Sequence, residues 1–307
     1  MAKQKKPKPE QQIEQDLEKL YDFLGQQEFE NIEELQAFLD QTLGKTVDEI
    51  IPANQGPKSK QEQSAELLYD AYEAPTPAKA RKMAKQALEL DPDNANAYCF
   101  LADMASDVEK AIDLYAQGMA AGERRIGQEE FEEMKGHFWG FHETRPYMRA
   151  KAGYAGCLYL MGRNEESLAQ YAEMIAFNPD DNQGVRYFLA TLLVHLEKWE
   201  EYEALIKQYG EETTAMWLYT YAMSIFKREG ATPRANQALH DAYQANPHVV
   251  AFLTGRKPIP DMLPDHYSLG DEDEAVLYIE ESSPLWIETE GALEWVLDFY
   301  EQRKSIN

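Results

Sequence analysis

The stretches "ARKMAKQALELDP" (residues 80–92), "SLAQYAEMIAFNP" (167–179) and "ANQALHDAYQANP" (235–247) decide how this chain folds. Each is a run of helix-forming residues closed by a proline, at Pro92, Pro179 and Pro247. Proline lacks an amide hydrogen and drives the residue before it into an extended conformation. Each run therefore predicts a helix that stops just short of its proline. Pro179 and Pro247 lie 68 residues apart (247 − 179), which is twice 34. A period of thirty-four residues is that of a stacked array of paired helices.

Side-chain size supports the pairing. Ala80, Ala84 and Ala87 follow a 4-then-3 spacing that places them on one helical face. Ser167, Tyr171 and Met174 repeat it, as do Ala235, Leu239 and Ala242. Ala111, Tyr115 and Gly118 form a degenerate copy. Small residues on such a face let a partner helix approach closely, and larger ones fill the gap beside them. The partners precede them: "SAELLYDAYEA" (64–74), "ANAYCFLADMA" (95–105), "PYMRAKAGYAGCLYLMG" (146–162), "GVRYFLATLLVHL" (184–196) and "TAMWLYTYAMSIF" (214–226). Turns are expected at Pro75–Pro77, Gly162–Asn164 and Gly230–Pro233. This makes five repeats, the second and fourth degenerate.

From Gln61 to Pro247 the chain resembles the tetratricopeptide repeat family. Its stretch "GHFWGFHETRPYMRAKAGYAGCLYLMG" (136–162), running on through "NPDDNQGVRY" (178–187), is similar to the tetratricopeptide proteins grouped with the suppressor of tumorigenicity family. The resemblance implies an all-α superhelix whose first helices line a concave groove, and it implies no chemistry. Some members of the wider family clamp a C-terminal carboxylate with a lysine and an asparagine at fixed positions of the first helix. Here those positions hold Ala65 and Tyr69, Cys99 and Asp103, Ala152 and Gly156, and Arg186 and Ala190, so docking of that type is not expected.

The expected organisation is a disordered basic tail (1–9), an N-terminal helical segment (10–51), a linker (52–60), the repeats (61–247) and a C-terminal loop with a helical cap (248–307). Capping boxes are expected at Asn31 with Glu34 and at Thr46 with Glu49, and Asp271 with Glu274 is expected to cap "EAVLYIEE". Ser283–Pro284 predicts a separate short turn through Trp286. An insertion interrupts the repeats near residues 122–144. Phe131, Met134, Phe138 and Phe141 there have helical spacing, Gly136 and Gly140 predict a break, and Thr144 is expected to cap the next helix.

Composition narrows the function. Apolar residues make up 44% of the 307, which is enough for a packed core. A net charge of −25 argues against nucleic acid and against an anionic membrane surface. No apolar run is long enough to span a bilayer. Cys99 and Cys157 lie in apolar helical patterns and read as buried thiols of a reducing cytoplasm. His137 and His142 are five apart, which is wrong for joint metal ligation from one helix, so no metal or other cofactor is expected. No catalytic residue stands out among 55 carboxylates.

The expected function is a non-catalytic scaffold that binds a peptide or protein in the concave groove. The alternative is an enzyme built on His137, His142, Glu143 and Arg145 of the inserted stretch. The groove residues expected to meet a partner are Arg145, Arg149, Tyr159, Gln183, Arg186 and Tyr187. Arginine and tyrosine there suit an acidic segment or a free C-terminus.

Overall fold

A computed structural model describes residues 31–51, 57–210, 212–260, 262–264 and 266–304, together with residues 16, 17, 19, 20, 23, 24, 27 and 29. The expected basic tail, most of the first N-terminal helix and most of the linker lie outside the described residues. Among the described residues the chain is all-helical, with no strand. It divides into two compact units, residues 1–161 and 162–307.

The first unit opens with α1 (Ile32–Thr42) and α2 (Val47–Ile50). Asn31 caps α1 by accepting the Glu34 amide at 2.9 Å, and the Thr46 amide donates to Glu49 at 2.8 Å. Two helix pairs follow: α3 (Lys60–Tyr72) with α4 (Pro77–Leu90), and α5 (Ala95–Asp103) with α6 (Val108–Ile126). Each pair is joined by a four-residue turn, so its helices run back along one another. Ala80, Ala84 and Ala87 are buried against α3, where the Ser64 hydroxyl donates to the Ala87 carbonyl at 2.8 Å. The short α7 (Gln128–Glu133) and two 3-10 turns then lead to α8 (Arg145–Leu160), which packs on α6 and α5.

The close packing of α6 on α8 depends on glycines, two of them on α6. A Cβ on Gly122 would stand 2.8 Å from the Tyr147 Cβ, and one on Gly118 would stand 3.2 Å from the Ala150 Cβ. A larger residue at Gly122 would push the helices apart.

The second unit contains α9 (Asn164–Phe177), then α10 (Val185–His195) with α11 (Trp199–Tyr209), and α12 (Ala215–Glu229) with α13 (Pro233–Ala245). Ser167, Tyr171 and Met174 of α9 are buried, as are Ala235, Leu239 and Ala242 of α13. Short α14 (His248–Leu253) follows, then α15 (Glu272–Glu288) and α16 (Ala292–Lys304). Trp286 and Trp295 are buried, the latter stacking on Phe226 of α12 with ring centroids 4.4 Å apart. The tail thus covers the α12 face with aromatic surface.

The three prolines end their helices in the same geometry. The preceding residues Asp91, Asn178 and Asn246 have φ/ψ of −138/93°, −142/80° and −149/98°. Each still donates its amide to the carbonyl four residues back, at 2.9–3.0 Å. This is the extended conformation that a following proline imposes, reproduced at three places along the chain.

Three local expectations need correction. Ser283–Pro284 starts no new turn, because Pro284 lies inside α15. Buried Leu285 and Trp286 hold the helix through the proline, with the Trp286 Nε1 donating to the Tyr278 hydroxyl at 2.8 Å. Thr144 does not cap α8: its backbone is already helical, and its hydroxyl donates backward to the carbonyls of Phe138 and Phe141. α6 runs on to Ile126, beyond the expected end near Ala121. Residues 248–253, ahead of the expected loop, form α14, whose Val249 and Val250 are buried.

Candidate interaction face

The inserted stretch 127–144 folds onto its own unit. Gly127 and Gly136 take positive φ (88° and 90°), which turns the chain into and out of α7. Phe131 meets Phe138 and Tyr147 edge-on, with centroids 4.9 and 5.1 Å apart. Phe138 and Tyr147 are buried, whereas Phe141 is exposed. The Arg145 Nε donates to the Trp139 carbonyl at 3.1 Å, and its guanidinium lies over the Trp139 ring. His137 is exposed, and the His142 Nδ1 stands 3.2 Å from the carboxylate of adjacent Glu143. An open apolar cleft of about 470 Å³ in this unit is lined by Val108, Tyr115, Gly153 and Cys157, among others, and by none of His137, His142, Glu143 and Arg145.

Arg149 and Tyr159 stand on α8, three turns of one face with Ala152 and Gly156 between them. The Arg149 Nε and one terminal nitrogen both donate to the Asn96 Oδ1, at 3.1 and 2.9 Å. Asn96 lies in the first turn of α5, so this bond ties two successive first helices along one side. Arg149 and Tyr159 are both half-buried.

In the second unit Arg186 is already met by carboxylates of its own chain. Its Nε donates to Glu212 at 2.6 Å and a terminal nitrogen to Asp181 at 2.8 Å. The other terminal nitrogen donates to the Tyr187 hydroxyl at 2.7 Å, and that hydroxyl donates to Glu212 at 2.7 Å. The guanidinium also lies over the rings of Tyr187 and Tyr209. Asp181, with φ of 48°, also accepts the amides of Val185 and Arg186 at 2.7 and 3.0 Å. It thereby caps α10, whose own N-cap, Gly184, has no side chain to do so.

Burial works against the charged Arg186, but the bonds to Glu212 and Asp181 outweigh it and raise its pKa above the usual value. Burial, then the bond to Glu212, raises Tyr187, and burial chiefly pushes Tyr209 up to about 12. Arg186 thus stays cationic and Tyr187 and Tyr209 stay neutral across the neutral range, while burial raises the Asp181 carboxyl against the bonds from Arg186. Gln183 beside it is half-buried, and its carboxamide oxygen accepts no hydrogen bond among the described residues.

Sequence reasoning named Arg186 and Tyr187 but missed Asp181, Glu212 and Tyr209. A carboxylate five residues ahead of a helix arginine was a usable signal for Asp181, whereas Glu212 is 26 residues away and has none. Sequence reasoning placed Glu274 in a helix cap but missed that its carboxylate is buried. Its carboxylate accepts from the amides of Ala215 and Gly270 (each 2.8 Å) and the Asn246 side chain (2.9 Å). It fastens α15 to the start of α12 and the end of α13. Its own amide is capped by Asp271 at 2.8 Å, as expected.

Both cysteines are free and buried. Burial pushes the Cys99 thiol up to about 12 and also raises Cys157. Among the described residues no helix is long and apolar enough to cross a membrane, and no three His, Cys, Asp or Glu side chains gather as metal ligands.

No protein-family model matches the chain. It is similar to suppressor of tumorigenicity 7 proteins. The rat protein named suppressor of tumorigenicity 7 protein-like is 26% identical over 250 residues, covering 74% of this chain and 44% of the relative. The human protein of that name is 27% identical over 250 residues, covering 74% and 43%. A protein named ST7 homolog from Drosophila pseudoobscura pseudoobscura is 23% identical over 252 residues, covering 74% and 46%. The chain spans less than half the length of these curated relatives. Their names state no activity or partner.

Proposed function

We propose that this chain is a non-catalytic interaction scaffold, a tetratricopeptide-like superhelix that binds a peptide or another protein along the face of its first helices. The observation that carries the reading is the bond from Arg149 to Asn96, which joins consecutive first helices into one surface. The repeated proline-ended geometry and the buried small-residue faces support the repeat architecture beneath it. Arg149 and Tyr159 offer a partner one charged and one flat aromatic contact. In the second unit Tyr187 and Gln183 offer contact, while Arg186 holds the local structure in place. Two buried free thiols suit a reducing cytoplasm.

The test is capture from native lysate, with mass spectrometry of the bound proteins. Wild-type chain is compared with Arg149→Ala, Tyr159→Ala and, as a control on the exposed side of α11, Glu200→Ala. A protein retained by wild type and Glu200→Ala, and lost by both face variants, is the expected outcome. Equal retention by all four rejects this face.

A further inference from the structure

Helix α4 presents a second surface of opposite character. Ala80, Ala84 and Ala87 occupy its buried side, while Lys79, Arg81, Lys82 and Lys85 are exposed. Four cations fall within seven residues of a chain whose net charge is −25. Arg81 donates to the Met104 carbonyl at 3.2 Å. Lys79, Lys82 and Lys85 form no ion pair among the described residues. Several cations elsewhere are matched within the chain: Arg124 sits on Asp93, Lys198 on Glu165 and Arg228 on Glu203. Glu89, one turn beyond Lys85, is the single carboxylate in α4, and the order Lys then Glu is the weaker one for a helical pair. So, among the described residues, α4 keeps a row of positive charge without an ion pair in a protein rich in carboxylates.

From this we infer that the exposed side of α4 docks a short acidic segment of a partner protein. At about 1.5 Å rise per residue, Lys79 to Lys85 spans roughly 9 Å. Two or three carboxylates on one turn or a short extended run would match that length. The extent of the partner follows from screening. At physiological salt, fields decay over about 8 Å, so a short acidic segment on α4 meets mainly the lysines. A nucleic-acid duplex or an anionic bilayer reaches far beyond α4 and meets the negative remainder of the surface. A bilayer would also want apolar side chains to insert, and no large apolar residue of α4 is exposed. This inference stands apart from the first-helix face, because none of the α4 cations belongs to it.

The test uses the full chain and a fluorescein-labelled decaglutamate peptide, with binding read by anisotropy at low salt. Saturable binding is expected, weakened at least about tenfold by the Lys82→Glu/Lys85→Glu double variant and weakened as salt rises. Lys207→Gln, an exposed lysine of α11 outside both surfaces, should leave it unchanged. Both lysines are exposed, so the double variant should keep the wild-type circular dichroism; Lys82→Gln/Lys85→Gln should give a smaller loss in the same direction. Three results overturn the inference. They are no saturable binding by wild type, equal binding by a double variant that keeps its fold, and tighter binding to phosphatidylserine vesicles or duplex DNA than to the peptide. Wild-type self-association in sedimentation, abolished by the double variant, would assign α4 to a second copy of this chain and overturn the inference as well.

Discussion

Replacing Gly122 with alanine tests the packing of α6 on α8, because two known effects then oppose each other. In a helix interior, alanine is favoured over glycine by about 1 kcal/mol. The new Cβ, however, would stand 2.8 Å from the Tyr147 Cβ and 3.1 Å from its Cα. Carbon atoms rest at about 3.5–4.0 Å, and a Cα cannot swing aside as a side-chain tip can. α8 must therefore move outward, loosening Tyr147 from Phe131 and Phe138. Overpacking of this kind costs about 1–3 kcal/mol, so Gly122→Ala should destabilise by about 1 kcal/mol after the helix preference is subtracted. Gly118→Ala meets Cβ atoms of Ala150 and Tyr98 at 3.2 Å. A small shift relieves those contacts, and its net effect should stay within about 0.5 kcal/mol of zero. Gly140→Ala, with nothing within 4 Å, is the control. Urea unfolding followed by far-ultraviolet circular dichroism gives the midpoints. A Gly122→Ala midpoint above wild type would mean that helix preference alone governs the site, and would refute the close approach.

Arg186→Ala strands the carboxylate of Asp181, whose side chain is 1% exposed, and should lower stability by about 2 kcal/mol; an unchanged urea midpoint would show the network to be structurally idle. Glu281 gives a pH effect of definite sign: burial, with Glu280 alongside, pushes its carboxyl up to about 8. The folded chain then holds that proton from the ordinary carboxylate range up to about pH 8, while the unfolded chain has released it, so stability falls as pH rises through that window. Glu281→Gln should flatten that slope and raise stability at the top of the window by about 1 kcal/mol or more; an identical slope in both proteins would contradict this.

What was legible in the sequence was periodic. The spacing of Ala80, Ala84 and Ala87 and the repeated prolines needed only helix geometry, and the buried faces follow from them. What was not legible depended on distant partners. Nothing near Arg186 singles out Glu212 among 55 carboxylates. Pro284 reads locally as a break, and only the burial of Trp286 holds the helix through it. α14 is six residues with no polar face, too short to show a helical period. Thr144 looked like a cap because its residue type and the following proline fit one, but the helical backbone ahead of α8 turned its hydroxyl the other way. Of the expected face residues, the structure ties Arg149 to Asn96, folds Arg145 back on Trp139 and satisfies Arg186 internally.

The central claim is that the first-helix face holds a partner. The most direct measurement places a photo-crosslinking benzoylphenylalanine at Tyr159, or at Glu200 as the control, and irradiates the full chain in native lysate. The account predicts a discrete crosslinked protein from position 159 that is absent from position 200 and is lost when Arg149→Ala is added. A partner crosslinked only from position 200, or crosslinking at 159 that survives Arg149→Ala undiminished, would contradict it.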